Sequence, residues 1–179
     1  MRSLRSILLG GWALALGLCL AQPGLAQGLP GGATSLRESH GDWTVACAVT
    51  SAEGNTSTAC TLSQEQTVTS TGQRVLAIEL LPAGQGAEGT LVLPFGLMLA
   101  RGASLQVDEE AAITQVAFRT CLPIGCIVPL SIDAKMLAAL RKGLALKIGV
   151  TGEGDAAVPL SVSLAGFSSA FDRVTALMR

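Results

Sequence analysis

The chain has 179 residues, of which 14% are charged and 3% aromatic, with 12 Lys and Arg against 13 Asp and Glu and a mean hydropathy of +0.51. That balance supplies no basic surface for nucleic acid, and so few aromatic side chains are a poor supply for a sugar-binding cleft. The length suits one domain with a full hydrophobic core.

The chain opens with MRSLRSILLGGWALALGLCLAQPGLAQ. Arg2 and Arg5 form a positive n-region, Ile7 to Ala21 an apolar run short for a membrane span, and Gly24-Leu25-Ala26 a small-x-small cleavage site. A secretory signal peptide over residues 1–26 is expected, cut after Ala26, with Ala21 as the second choice. Cys19 follows Leu18, where lipid modification needs a small residue, so it belongs to the discarded leader. Loss of Arg2 and Arg5 takes two from the 12 basic residues and none from the 13 acidic ones, leaving a mature charge near −3. No later segment has the length of a transmembrane span.

Residues 27–41 (QGLPGGATSLRESHG) are rich in Gly, Ser and Pro and are expected to form a flexible lead-in to a domain over 42–179. DWTVAC then places Trp43, Val45 and Cys47 on one face of a strand, and CTLSQEQTV places Cys60, Leu62 and Gln64 together. RVLAIELL, GTLVLP, GLMLA, ASLQVD, TQVAFRTC, IVPLSI, LALKIGVT and PLSVSLAGF extend the series, separated by turn-forming stretches. DAKMLAALRKG reads as a short helix with Asp133 as N-cap and Gly143 as C-cap, and Phe167, Phe171, Val174 and Met178 have the spacing of a C-terminal amphipathic helix. Many short strands with two small helices predict a β-sandwich.

Four cysteines remain after the leader: Cys47, Cys60, Cys121 and Cys126. An even number in an exported chain points to disulfides, with three connectivities open. In TCLPIGC four residues separate Cys121 from Cys126, whereas thioredoxin-like redox motifs have two, and structural zinc would need a reducing compartment or further ligands. Pro123 and Ile124 can form the centre of a type I turn with Gly125 in the left-handed position after it, which brings the two cysteines within bridging reach. Cys121–Cys126 and Cys47–Cys60 are therefore the expected pairs, favoured by sequence proximity.

Other candidates carry less. GQGAEG matches a dinucleotide-binding fingerprint by letter, but Pro82 precedes it and the strand-like TLVLP follows where a helix is required. Asp108, Glu109 and Glu110 lack calcium-loop spacing. The single histidine, His40, falls in the lead-in, and no GxSxG elbow holds a serine. No catalytic residue, metal or cofactor is assigned. Pro94 is ill-suited to a central strand, so LPFG marks a bend or edge; Phe95-Gly96 there is either a packed corner, the preferred reading, or a rim that a partner touches.

An export signal followed by DWTVAC, CTLSQ, LPFGLMLARGASLQVD, FRTCLPIGC, KMLAALRKG and SLAGFSSAF resembles the invasion-associated locus B family of Gram-negative envelope proteins, over about Asp42 to Phe171. The resemblance implies an immunoglobulin-like antiparallel β-sandwich, export across the inner membrane and, in some pathogens, association with host-cell invasion; it supplies no catalytic residues. The function expected is that of a non-enzymatic module in the periplasm or outer envelope that holds an envelope or host protein partner, without nucleic acid. The alternative is a periplasmic small-ligand carrier or hydrolase whose site is assembled from scattered carboxylates.

Overall fold

The computed structural model describes residues 28–52, 55–109 and 113–179; the expected leader with Cys19, and Glu110 of the acidic turn, lie outside them. In chain order the strands are β1 (Ser35–His40), β2 (Trp43–Ala52), β3 (Asn55–Thr67), β4 (Arg74–Ala83), β5 (Gly86–Leu93), β6 (Ala103–Val107), β7 (Thr114–Val116), β8 (Thr120–Leu122), β9 (Gly125–Ile132), β10 (Ala145–Thr151) and β11 (Ala157–Ser163). Helix α1 (Ala134–Lys142) lies between β9 and β10, and α2 (Phe167–Leu177) follows β11. One sheet has the order β1-β2-β3-β4-β5-β9-β8, the other β11-β10-β6-β7, and every pairing is antiparallel. The architecture is thus a mainly β, two-sheet antiparallel sandwich with one short internal helix and a C-terminal helix.

Period-two alternation explains the core. Trp43 and Val45 of β2, Leu62 of β3, Ile78 of β4 and Leu91 of β5 point inward and are almost fully buried. They meet Leu105, Leu146, Ile148 and Val162 of the smaller sheet and Phe167, Phe171 and Val174 of α2 in one cluster. Trp43 sets the join: its ring lies edge-on to Phe167 at 5.1 Å, and its Nε1 donates to the Ser163 carbonyl at 2.9 Å.

A polar side chain completes the contact between sheets. Gln64, only 6% exposed, donates from Nε2 to the Ser163 carbonyl at 2.9 Å and accepts from the Ser163 amide at 3.1 Å. Gln66 Nε2 donates to the Ser161 carbonyl at 2.7 Å. Leu164 and Ala156, flanking β11, bond the β10 side, so Ser161 and Ser163 direct their backbone groups away from β10. The two glutamines therefore act as a substitute neighbour for edge strand β11, reaching over from the other sheet.

Four sequence expectations change here. Ser35–His40 is not a lead-in but edge strand β1, in register with β2 from Ser35↔Ala48 to His40↔Trp43. Its half-buried face is Leu36, Glu38 and His40, and two of those three are polar, which hid the alternation. GLMLA is not a strand: Leu97 makes one bridge to Gly152, and Leu99–Arg101 form a 3-10 turn as the chain crosses between sheets. TQVAFRTC is two strands, since β7 pairs with β6 and β8 with β9. Gly143 is the C-cap of α1 as expected, its amide donating to the Ala139 carbonyl at 2.8 Å; a Cβ there would collide with Val107 and crowd Leu164 at 3.1 Å. Finally, Phe95 is not a packed corner but is 61% exposed. Pro129 is accommodated because β8 reaches only to the Thr120↔Ile127 pair, leaving β9 an edge beyond it.

Candidate interaction surface

The structure joins Cys47 to Cys60 and Cys121 to Cys126. Each pair is directly opposed in a strand ladder, with Cα atoms 4.1 and 3.9 Å apart. For Cys47 the reason is visible in the ladder. The Val49 amide bonds to the Thr34 carbonyl, and alternation makes Cys47 face β1 with its backbone, so Cys47↔Cys60 is a closely spaced, non-hydrogen-bonded pair. Cys121–Cys126 spans the two-residue turn Pro123-Ile124, with Gly125 at φ +134°, a conformation that disfavours a side chain. Both bridges hold hairpins.

The remaining sequence candidates fall into structural roles. GQGAEG is the β4–β5 hairpin. Asp108 accepts from the Leu144 and Ala145 amides, and Glu109 pairs with Lys147. Among the described residues there is no group of three His, Cys, Asp or Glu side chains placed to hold a metal ion.

One constellation was not anticipated. β1 and α2 bring together Glu38, His40, Ser169 and Arg173. His40 Nδ1 is 3.2 Å from Ser169 Oγ, and Nε2 is 3.4 Å from Glu38 Oε2. The order Ser-His-Glu invites comparison with a nucleophilic triad, but its hydrogen bonds run elsewhere. Ser169 Oγ donates to the Gly166 carbonyl at 2.9 Å, and Arg173 grips both Glu38 oxygens at 2.8 Å, holding that carboxyl below the usual carboxylate range. The serine proton is already committed to backbone, and the acid is neutralised. This is a clasp between an edge strand and a helix. The adjoining turn is equally tight: the Asp42 amide donates to the Ala165 carbonyl at 3.0 Å, and Gly166, at φ +87°, lies against the His40 carbonyl where a Cβ has no room.

Surface chemistry concentrates at one end of the sandwich. Nine large apolar side chains are exposed among the described residues, and six of them (Val68, Phe95, Met98, Leu99, Leu122 and Ile124) lie at the end where β3, β5 and β8 finish and β4, β6 and β9 begin. The β5–β6 crossing provides three, the Cys121–Cys126 hairpin two and the β3–β4 turn one. Between them runs a groove of about 450 Å³, lined by Arg74, Val75, Val92, Pro94, Phe95 and Ile124 among others. A second depression of about 380 Å³ shares Arg74, Val92 and Ile124 and continues onto the outer face of the larger sheet. Arg74 is held in place by Glu65, at 2.7 Å from Nε, and Arg101 by Asp155, at 2.8 Å. This clustered apolar exposure makes that end of the sandwich the candidate interaction surface.

The model of the "Invasion associated locus B (IalB) protein" family matches residues 43–175, three quarters of the chain and every strand of the sandwich except β1. The chain belongs to the IalB family. Its relatives include an Invasion protein B homolog of Brucella abortus (strain 2308), 45% identical over 156 residues, which cover 86% of this chain and 87% of that one. Invasion protein B of Bartonella bacilliformis is 34% identical over 155 residues, covering 84% and 81%. The crystal structure of invasion associated protein B from Bartonella henselae superposes with a TM-score of 0.71 at 34% identity, over 79% of this chain and 96% of that one. In this IalB chain Trp43, the CTLSQ run and SLAGF, noted first as sequence signatures, meet at one place: around Ser163, where the two sheets and α2 join. LPFG and CLPIGC meet at the other, around the apolar groove.

Proposed function

We propose that this IalB protein is an exported, non-enzymatic module of the cell envelope that works by binding protein at the apolar end of its sandwich. The observation that carries the reading is the groove flanked by Phe95, 61% exposed, and Ile124, 56% exposed, on a rigid, disulfide-held hairpin. The groove offers apolar area and shape, with Arg74 as its one charged lining residue; the adjoining depression adds exposed Glu79 and Glu65, the latter already paired with Arg74. Export is supported by the Arg-led apolar leader and by two disulfides, and no helix among the described residues is long and apolar enough to cross a membrane. The relatives named for invasion suggest that host contact is one setting for such binding.

The test is site-specific photo-crosslinking in cells that express the chain with p-benzoylphenylalanine at position 95 or 124, and at Leu144, at the opposite end, as control. Discrete protein adducts from 95 and 124 but not from 144 are expected. Equal labelling from all three positions, or none from the groove, would overturn the reading.

A further inference from the structure

The same end is built to receive a copy of itself. We infer that it forms the interface of a symmetric homodimer in which Phe95 of each chain enters the groove of the other. The inference rests on the reading of this end as a binding surface and names the first occupant of that surface.

Three observations lead to a second copy. The first is area. The fractional exposures of Val68, Phe95, Met98, Leu99, Leu122 and Ile124 amount to nearly three fully exposed large side chains, about 500 Å² of apolar surface at the size of such residues. A standard interface takes about 800 Å² from each partner, and about 65% of a homodimer's share is apolar, close to the same figure. The second is shape. Phe95, 61% exposed, is itself one wall of the groove of about 450 Å³, so ring and groove share one face and a two-fold axis that sets each ring into the other chain's groove closes the assembly at two chains. A knob and a hole on different faces would instead propagate into a filament. The third is charge. Arg74 and Arg101 at this end are each paired within their own chain, to Glu65 and Asp155, and exposed Arg119 and Glu153 there are of opposite sign, so two copies meet without a like-charged patch. The same neutrality removes the surplus of Lys and Arg that would favour an anionic lipid surface.

The experiment is sedimentation velocity on the mature, oxidised protein from low micromolar to about 100 µM. The wild type is expected to be dimeric, with Phe95→Glu and Ile124→Glu each weakening association at least tenfold and Leu144→Glu leaving it unchanged. A monomer throughout the range overturns the inference, and so does a dimer that Phe95→Glu leaves intact. Folding of each variant is read from Trp43 fluorescence. Should Phe95→Glu fail to fold, photo-crosslinking of purified protein from position 95 gives a second readout. Adducts at twice the chain mass, mapped to 73–75, 92–94 or 123–125 of the other chain, support the dimer, and adducts elsewhere refute it. A monomeric pure protein that still captures a different envelope protein from position 95 in cells sinks the dimer and leaves the proposed function standing. Failure of both sinks both.

Discussion

Replacing Gln64 tests whether a side chain does the work of a strand. Gln64→Met keeps the length and shape of the side chain but removes both contacts with Ser163, at 2.9 and 3.1 Å. The Ser163 carbonyl retains Trp43 Nε1, but the Ser163 amide loses its partner between the sheets. Two hydrogen bonds at about 1 kcal/mol each, plus about 1 kcal/mol or more for the stranded amide, give a loss of about 2 to 4 kcal/mol. Gln64→Glu should be worse at neutral pH, because a carboxylate still accepts from the Ser163 amide but faces the Ser163 carbonyl without a proton to donate. The sign with pH follows. Burial beside a carbonyl raises the folded-state pKa of that Glu above its unfolded value, so the defect is fully present above the folded pKa. It shrinks as pH falls through that value, where the protonated carboxyl can donate. Urea unfolding followed by fluorescence suits the measurement, since Trp12 leaves with the expected leader and Trp43 is then the sole reporter. Gln66→Met, whose contact with Ser161 is exposed and replaceable by water, is the control and should cost under about 1 kcal/mol. A Gln64→Met protein within 0.5 kcal/mol or so of wild type, or a Gln64→Glu protein with no pH-dependent defect, would show that the sheets are held by apolar packing alone.

Peptide mapping without reduction should return Cys47–Cys60 and Cys121–Cys126; replacing the second pair with serine should cost about 2 kcal/mol and the first about 3, read from the same urea curves. Arg173→Met should lower hydrogen-exchange protection in β1 while sparing β4 and β5, since Glu38 loses its main partner. Because Arg173 depresses the folded pKa of Glu38, the clasp stabilises the fold above the unfolded pKa and loosens as pH falls through the folded one. The acid sensitivity of β1 protection should therefore flatten in Arg173→Met. Gly166→Ala should lower the melting temperature measurably, because a Cβ at φ +87° meets the His40 carbonyl; an unchanged midpoint would mean that the β1–β2 turn gives way easily.

Alternation made the central strands readable. Trp43, Val45 and Cys47, and Cys60, Leu62 and Gln64, face inward as their spacing implies, and Asp133 caps α1 through the Met136 amide. What escaped lies where a residue's partner is distant in sequence. Glu38 and His40 look like loop residues until α2 supplies Arg173 and Ser169, over 125 positions away. TQVAFRTC carries one continuous β signal, and nothing local says that the chain changes sheets between Val116 and Thr120. The groove is composed of three segments, around Arg74, Phe95 and Ile124, so no window of sequence contains it. The signal present was Pro94, which marked a bend but not which way Phe95 would point.

The placement of the two bridges also bears on how the chain becomes oxidised. Each closes a hairpin, of 14 or six residues, whereas the shortest wrong pairing among Cys47, Cys60, Cys121 and Cys126, that of Cys60 with Cys121, must close about 60. In an unstructured chain the chance of contact falls roughly as the three-halves power of loop length. Correct partners therefore meet about ten to thirty times more often than that wrong pair before any strand has formed. Neither bridge threads the other or waits for the sheets to stack, so the two can form in either order. A chain exported as proposed can thus acquire its covalent pattern from proximity alone, with little left for an isomerase to correct.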